Sequence, residues 1–288
     1  MRHAILGAGG IGGLLAATLA RAGGDVVLLL RRAALADYPG RIAVDSEVLG
    51  RFDAEVPAVA ALERDVDVLW VATKATQLVA ALDAAPPERV GPAIVIPLLN
   101  GVDHVELLRA RYANVVAGAI RVESERVAPG RLRQSSPFLG VELAGAPDAA
   151  AELEAAGIAC RVRDDERSLL WEKLAFLAPV ALATTALDGT VGEIRDDERF
   201  AACRGEAVAV ARAEGAAVDA EAIGALHDGA PAAMRSSMQK DVEAGRAPEL
   251  DAIAGPILRG GARHAIAVPG TSALARLVAL RAGDSSLG

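Results

Sequence analysis

Along roughly the first 165 residues, short apolar runs alternate with stretches whose apolar positions recur at helical spacing. The runs at 4–6, 26–30, 66–72 and 93–98 are rich in Val, Ile and Leu. They lack the alternation of a half-exposed strand, which predicts parallel strands buried on both faces. Between them, residues 11–22 and 76–83 repeat at a helical period. This alternation predicts a doubly wound α/β parallel sheet of Rossmann type. After Val115 the pattern shortens, and 115–122, 131–134 and 138–143 read as strands, with Pro129-Gly130 as a turn signal. From about Glu166 the chain is Ala-rich with few β-branched runs and reads as helices. The expected organisation is a Rossmann dinucleotide-binding domain over 1–165 and an all-α C-terminal domain, for substrate and dimerisation, over 166–288. No repeat or low-complexity linker marks the junction near 163–167.

A chain of 288 residues suits two cores better than one. With 52% hydrophobic and 24% charged residues, the composition is that of a folded globular protein and excludes disorder. Only 3% are aromatic, so Ala, Val, Leu and Ile must fill the core. A formal net charge of −8 disfavours nucleic acid or an anionic membrane as partner, but local Arg and Lys side chains can still hold a small anion. Cys160 and Cys203 form no CxxC, and His3, His104, His227 and His264 show no metal-ligand spacing. No metal site is expected, and the cysteine usage suits a reduced, cytoplasmic setting. The N-terminus reaches glycines too early for a signal-peptide apolar region. The longest apolar stretch, 174–187, contains Pro179 and is short for a bilayer span.

The clearest chemical signal is Gly7-Ala8-Gly9-Gly10-Ile11-Gly12, a G-x-G-x-x-G between a predicted strand and a predicted helix. In that setting Gly7 permits the tight turn, Gly9 lets a pyrophosphate approach the backbone, and Gly12 lets helix and strand pack closely. The helix N-terminus then offers N–H groups and the positive end of its dipole to phosphates. A ligand-free glycine turn is the bland alternative, and the strand–turn–helix context argues for a nucleotide. An NAD site usually places a carboxylate about 20 residues further on, at the tip of the second strand. Here that strand ends in Arg31-Arg32. A guanidinium there can pair with a 2′-phosphate, which favours NADP(H) over NAD, although two surface arginines opening a loop would look the same.

Two more features follow strand ends, where open α/β sheets bind ligands. Lys74 can reach a cofactor ribose or a substrate carboxylate, or simply start a solvated helix. Asn100-Gly101 is either part of the same crevice or an ordinary turn dipeptide. In the second domain, the run from Leu169 to Pro179 reads as an apolar helix kinked at Pro179, and Lys173 is out of place in it. Facing inward, Lys173 would need a partner or a cleft, and desolvation would suit it to proton donation; facing outward, it would snorkel beside Glu172. Ser237 and Glu249 are candidates to hold a substrate carboxylate and an ammonium or ribose hydroxyl. Equally, Ser236 reads as a helix cap and Glu249 as a first-turn acid after Pro248.

The order of G-x-G-x-x-G, Arg31, Lys74, Asn100-Gly101, Trp171-x-Lys173, Ser236-Ser237-Met238 and Glu249, with Ile266-Ala267-Val268-Pro269 near the end, resembles the ketopantoate reductase (2-dehydropantoate 2-reductase) family over essentially the whole chain. The resemblance implies NADPH-dependent reduction of a 2-keto acid, in the known case 2-dehydropantoate to pantoate for coenzyme A synthesis. It implies Lys173 as proton donor and Glu249 as its partner or a cofactor contact. Asn100 would touch cofactor and substrate, Ser237 would hold the substrate, and Ser124 would lie near the nicotinamide. Where the family usually lines its substrate pocket with asparagines, this chain has Leu177, Ala181, Val191 and Met234, and the Thr-Thr-His often found near 120–122 is absent. An unpaired buried polar group costs about 1–3 kcal/mol, so these replacements suit a less polar carbonyl or an imine. The alternatives are a reductase of such a substrate or a non-catalytic NADP-binding sensor. Helical second domains of this kind often pair, which makes a homodimer an open expectation.

Overall fold

The computed structural model describes residues 1–283. The chain opens with β1 (Arg2–Leu6), α1 (Gly10–Arg21) and β2 (Asp25–Leu29), followed by a short α2 (Arg32–Ala36). A hairpin of β3 (Arg41–Ser46) and β4 (Gly50–Glu55) comes next, then β5 (Ala58–Val59) and β6 (Val68–Val71). Past β6, α3 (Leu78–Ala81) sits between 3-10 turns at Ala75–Gln77 and Leu82–Ala84; then come α4 (Pro87–Val90), β7 (Ile94–Pro97) and α5 (His104–Arg109). Strands β8 (Gly118–Arg121), β9 (Ser124–Ala128), β10 (Arg131–Gln134) and β11 (Gly140–Leu143) precede α6 (Pro147–Ala155) and β12 (Ala159–Val162). The remainder is helical: α7 (Glu166–Leu187), α8 (Val191–Ile194), α9 (Glu198–Ala213), α10 (Ala220–Gly229), α11 (Ser237–Glu243), α12 (Leu250–Arg263) and α13 (Pro269–Arg281).

By its contacts the chain forms two units. One comprises Met1–Leu99 with His104–Glu166; the other comprises Asn100–Asp103 with the chain from Arg167 onward. The first unit is Rossmann-type: a parallel sheet in the order β5-β2-β1-β6-β7. Beyond Arg2, His3 and Asp25 at the starts of β1 and β2, its strands are apolar because each face meets its own core. Ile5, Leu28, Val68, Trp70 and Ile96 pack on one side, and Ala4, Leu6, Leu29, Leu69, Val71 and Val95 on the other. The first core is closed by a second sheet, β4-β3-β10-β9, which lies against α1. Squeezed between two sheets, α1 buries Gly12, Gly13, Ala16 and Ala17 as well as Leu14, Leu15 and Leu19. A Cβ on Gly13 would already press on Leu132 of β10, at 2.9 Å. A third sheet, β12-β11-β8, carries α6.

Several expectations are corrected here. The helix expected over 76–83 is one α turn between two 3-10 turns. The strands β3 and β4 are additional to the expectation: β3 alternates over only six residues, and β4 buries only Ala54. The apolar stretch at 174–187 belongs to a longer helix: α7 runs for 22 residues through Pro179, long and apolar enough to cross a bilayer. Of its most apolar window 83% is buried inside the protein, and Leu174, Ala175, Ala178, Val180 and Leu182 pack in the core of the second unit. Sixteen of its 22 residues are buried.

Candidate active site

In the first unit, the chain runs outward from β1 to β2 and β5, then returns past β1 to β6 and β7. The connections at the C-terminal ends of β1 and β6 therefore leave in opposite directions, and such a switch point is where open parallel sheets bind their ligands. Gly7 follows β1, and Ala72-Thr73-Lys74 follows β6. They touch: a Cβ on Gly7, whose φ is +103°, would stand 3.0 Å from the Ala72 carbonyl oxygen. A Cβ on Gly12 would fall on the Gly7 carbonyl oxygen, so no larger residue lets α1 start this close to β1. Gly9 is exposed, and a Cβ there would meet nothing within 4 Å, which leaves its backbone open to a ligand. The Gly10 carbonyl oxygen accepts from Ser124 Oγ at 2.9 Å, so the start of β9 braces the loop. No acidic side chain sits in the first turn of α1 to compete with an anion for its N–H groups.

The tip of β2 is tied to this loop by the Gly7 N–H, which donates to Leu29 O at 3.3 Å. Arg31, two residues further on, stands exposed at the start of α2, with no carboxylate within ion-pair distance among the described residues. Ala8 and Ile11 are partly buried and pack on the core beneath the loop. Lys74 is half-buried directly after β6 and opens the first 3-10 turn.

In the second unit, helical periodicity puts Lys173, Leu177, Ala181 and Thr184 on one stripe of α7. Lys173 is only 8% exposed, so it does not snorkel. Further along the stripe, Thr184 Oγ1 lies 2.8 Å from Ser236 Oγ, and Ser236 accepts from Gln239 N–H at 3.1 Å as the cap of α11. Ser236 is therefore the buried cap, and Ser237, the first residue of α11, is exposed. Val191 N–H donates to Met234 O at 3.0 Å, joining the other two apolar positions. Ala181 and Val191 are sealed in the helical core, whereas Leu177 and Met234 keep some surface. Glu249, 8% exposed at the start of α12, accepts from Asn100 Nδ2 at 3.2 Å. The structure thus brings together Asn100 and Glu249, which lie far apart in the chain.

One side chain in this unit gave no sequence signal. His227 of α10 is buried, stacked on Phe176 with ring centroids 5.0 Å apart, and its Nε2 lies 2.8 Å from the Phe176 carbonyl oxygen. That carbonyl belongs to the helical turn after Lys173. A lone His on an amphipathic helix carries no pattern that would single it out. The cysteines offer no nucleophile: burial pushes the Cys160 thiol up to about 11 and Cys203 up to about 12.

Two family models match the chain: ketopantoate reductase PanE/ApbA over residues 3–141, and ketopantoate reductase PanE/ApbA C terminal over residues 165–282. A 2-dehydropantoate 2-reductase of Caulobacter vibrioides is 31% identical, the match covering 96% of this chain and 97% of the relative. Among solved structures, a PanE/ApbA family ketopantoate reductase from Ralstonia eutropha superposes with a TM-score of 0.87 at 28% identity, covering 98% of this chain and 99% of that one. A D-mandelate dehydrogenase with NADH and anilino(oxo)acetate shares the fold, with a TM-score of 0.89 at 24% identity over 100% of this chain and 99% of that one.

Proposed function

This chain belongs to the ketopantoate reductase family of oxidoreductases, and from that membership we propose that it is an NADPH-dependent reductase of a 2-keto acid, with 2-dehydropantoate as the first substrate to test. When bound, NADPH supplies the hydride. Gly7–Gly12 and the N-terminus of α1 would hold the pyrophosphate, Arg31 would pair with the 2′-phosphate, and Lys74 and Ser124 would add cofactor contacts. As the carbonyl oxygen gains negative charge, the Lys173 ammonium stabilises it and then gives it a proton from Nζ. Glu249, by accepting from the Asn100 amide N–H, orients that amide so that its oxygen is left to receive a donor from the substrate. Ser237, exposed as the first residue of α11, would hold the substrate carboxylate.

The single observation that carries this reading is the burial of Lys173 on a helix whose buried side chains are mostly apolar. An enclosed lysine at this place in the helix is the group we assign to proton donation. Replacing Lys173 with Ala is expected to lower kcat by about 10²- to 10⁴-fold, the usual worth of a positioned general acid, with NADPH affinity unchanged. Stopped-flow NADPH oxidation and fluorescence titration check the two halves, and unchanged turnover would remove Lys173 from the mechanism. Leu177 and Met234 favour a second reading, in which the carbonyl or imine substrate carries a hydrocarbon rather than a hydroxylated side chain. Matched 2-keto acids differing only in that respect decide between them. A blank across keto acids and imines, with NADPH still bound, would leave a sensor.

A further inference from the structure

The segment Asn100–Asp103 leaves the first unit for four residues and then returns to it, and each of the four is gripped by the second unit. Asn100 Nδ2 donates to Glu249 Oε2. Gly101, with φ of +87°, passes so close to α12 that a Cβ would collide with the Ala252 carbonyl oxygen. Val102 packs on the helical core. Asp103 receives a hydrogen bond from Arg259 Nη2, while Nη1 of the same guanidinium donates to Asp251 Oδ1 at 2.6 Å.

The Arg259–Asp251 bridge spans two turns of α12 and so must cross the residue between them. That residue is Gly255, and a Cβ there would stand 2.5 Å from both Asp251 Oδ1 and Arg259 Nη2. Only a bare backbone lets the guanidinium lie flat along the helix with its second arm free for Asp103. One amide bond to Glu249 cannot orient a four-residue excursion, because Asn100 can still pivot about it. A second tether at the far end of the segment removes that freedom.

We propose that Arg259 is a positioning residue for the reaction: laid over Gly255, it ties Asp103 to Asp251 and holds Asn100 in register with Glu249. The inference rests on the reading that Asn100 and Glu249 serve the reaction. Its physical content, the tethering of the segment, is measurable without turnover.

The test compares the full-length wild type with Arg259→Ala, Arg259→Lys, Gly255→Ala and the charge swap Asp103→Arg with Arg259→Asp. The clamp is exposed, so Arg259→Ala is expected to lower kcat for 2-keto acid reduction about fivefold, with NADPH affinity unchanged. Arg259→Lys does not restore the rate, because one ammonium lacks the two-armed fork; Gly255→Ala reproduces the loss; the charge swap recovers most of it. Hydrogen exchange across residues 100–104 rises in Arg259→Ala and Gly255→Ala while the melting temperature stays within about 3 °C of wild type. Unchanged kcat together with unchanged exchange over 100–104 overturns the proposal, as does a rate loss that Arg259→Lys fully repairs. A wild type that reduces no 2-keto acid defeats the functional reading instead, and the exchange measurement still decides whether the clamp exists.

Discussion

Arg31 stands in the open, two residues past the tip of β2, at a position where a carboxylate would repel a 2′-phosphate. It is exposed, so we assign its value to what it can pair with. Charge-assisted hydrogen bonds are worth about 1.5–3 kcal/mol, so Arg31→Ala is expected to weaken NADPH binding about tenfold or more while leaving NADH nearly untouched, as isothermal titration with both cofactors will show. Equal losses for the two cofactors would place the 2′-phosphate elsewhere. The sequence made Arg31 legible because its meaning depends on local register, a strand end counted from a glycine loop. Lys173 was a different case. Its type and its apolar neighbours were visible, but whether it faced inward depended on which stripe of α7 the other helices cover, and only its burial decided that. Asn100 and Glu249 each had a bland local reading as turn and first-turn acid; nothing within a few residues of either reveals that one donates to the other.

At the scale of elements, most of the strands of the Rossmann sheet and the glycine-led α1 followed from pattern because burial on both faces leaves uninterrupted apolar runs. The second sheet escaped notice where its strands show one polar face, as in β3, whose exposed and buried positions alternate over a short span. The 76–83 stretch was too short to reveal that it would fold as 3-10 turns around a single α turn. In the helical unit, α11 begins with a cap that also fastens it to α7, since Ser236 Oγ accepts from Gln239 N–H and lies 2.8 Å from Thr184 Oγ1. Losing a Ser cap costs about 0.5–2 kcal/mol, and the buried hydroxyl contact places Ser236→Ala at the upper end. Urea unfolding is expected to show that loss in the midpoint with an unchanged slope. A midpoint equal to wild type would mean that the cap carries no weight in the native state.

For the whole molecule, each unit contains a histidine whose pKa burial holds below its ordinary value. His3, within β1 of the first unit, is desolvated by burial, with Glu152 partly opposing the shift, and its Nδ1 accepts from Trp70 Nε1 at 3.1 Å. His227 in the second is desolvated between Phe176 and Phe200, with the Phe176 carbonyl opposing. A depressed folded-state pKa means that the unfolded chain takes up protons first as pH falls below 6.5. Their stabilisation is complete above that pH and is lost on acidification towards the lowered folded values, at up to about 1.4 kcal/mol per histidine per pH unit. Denaturation midpoints at pH 7.5 and 5.5 should fall in the wild type and fall less in the His3→Asn, His227→Asn double variant; parallel falls would assign the acid sensitivity to other groups. At this scale the division between sequence and structure is plain. The sequence alone determined the Rossmann class, the glycine turn between β1 and α1, the proposed cation for a 2′-phosphate and the helical character of the second half, because each is written in residues a few positions apart. Tertiary structure alone decided that Lys173 is enclosed, that Asn100 through Asp103 belongs with the helical unit, and that the Ser236 cap is buried against Thr184. Those outcomes depend on contacts between segments up to 156 residues apart, as between Asp103 and Arg259, and a local pattern carries no record of which distant surface will cover it.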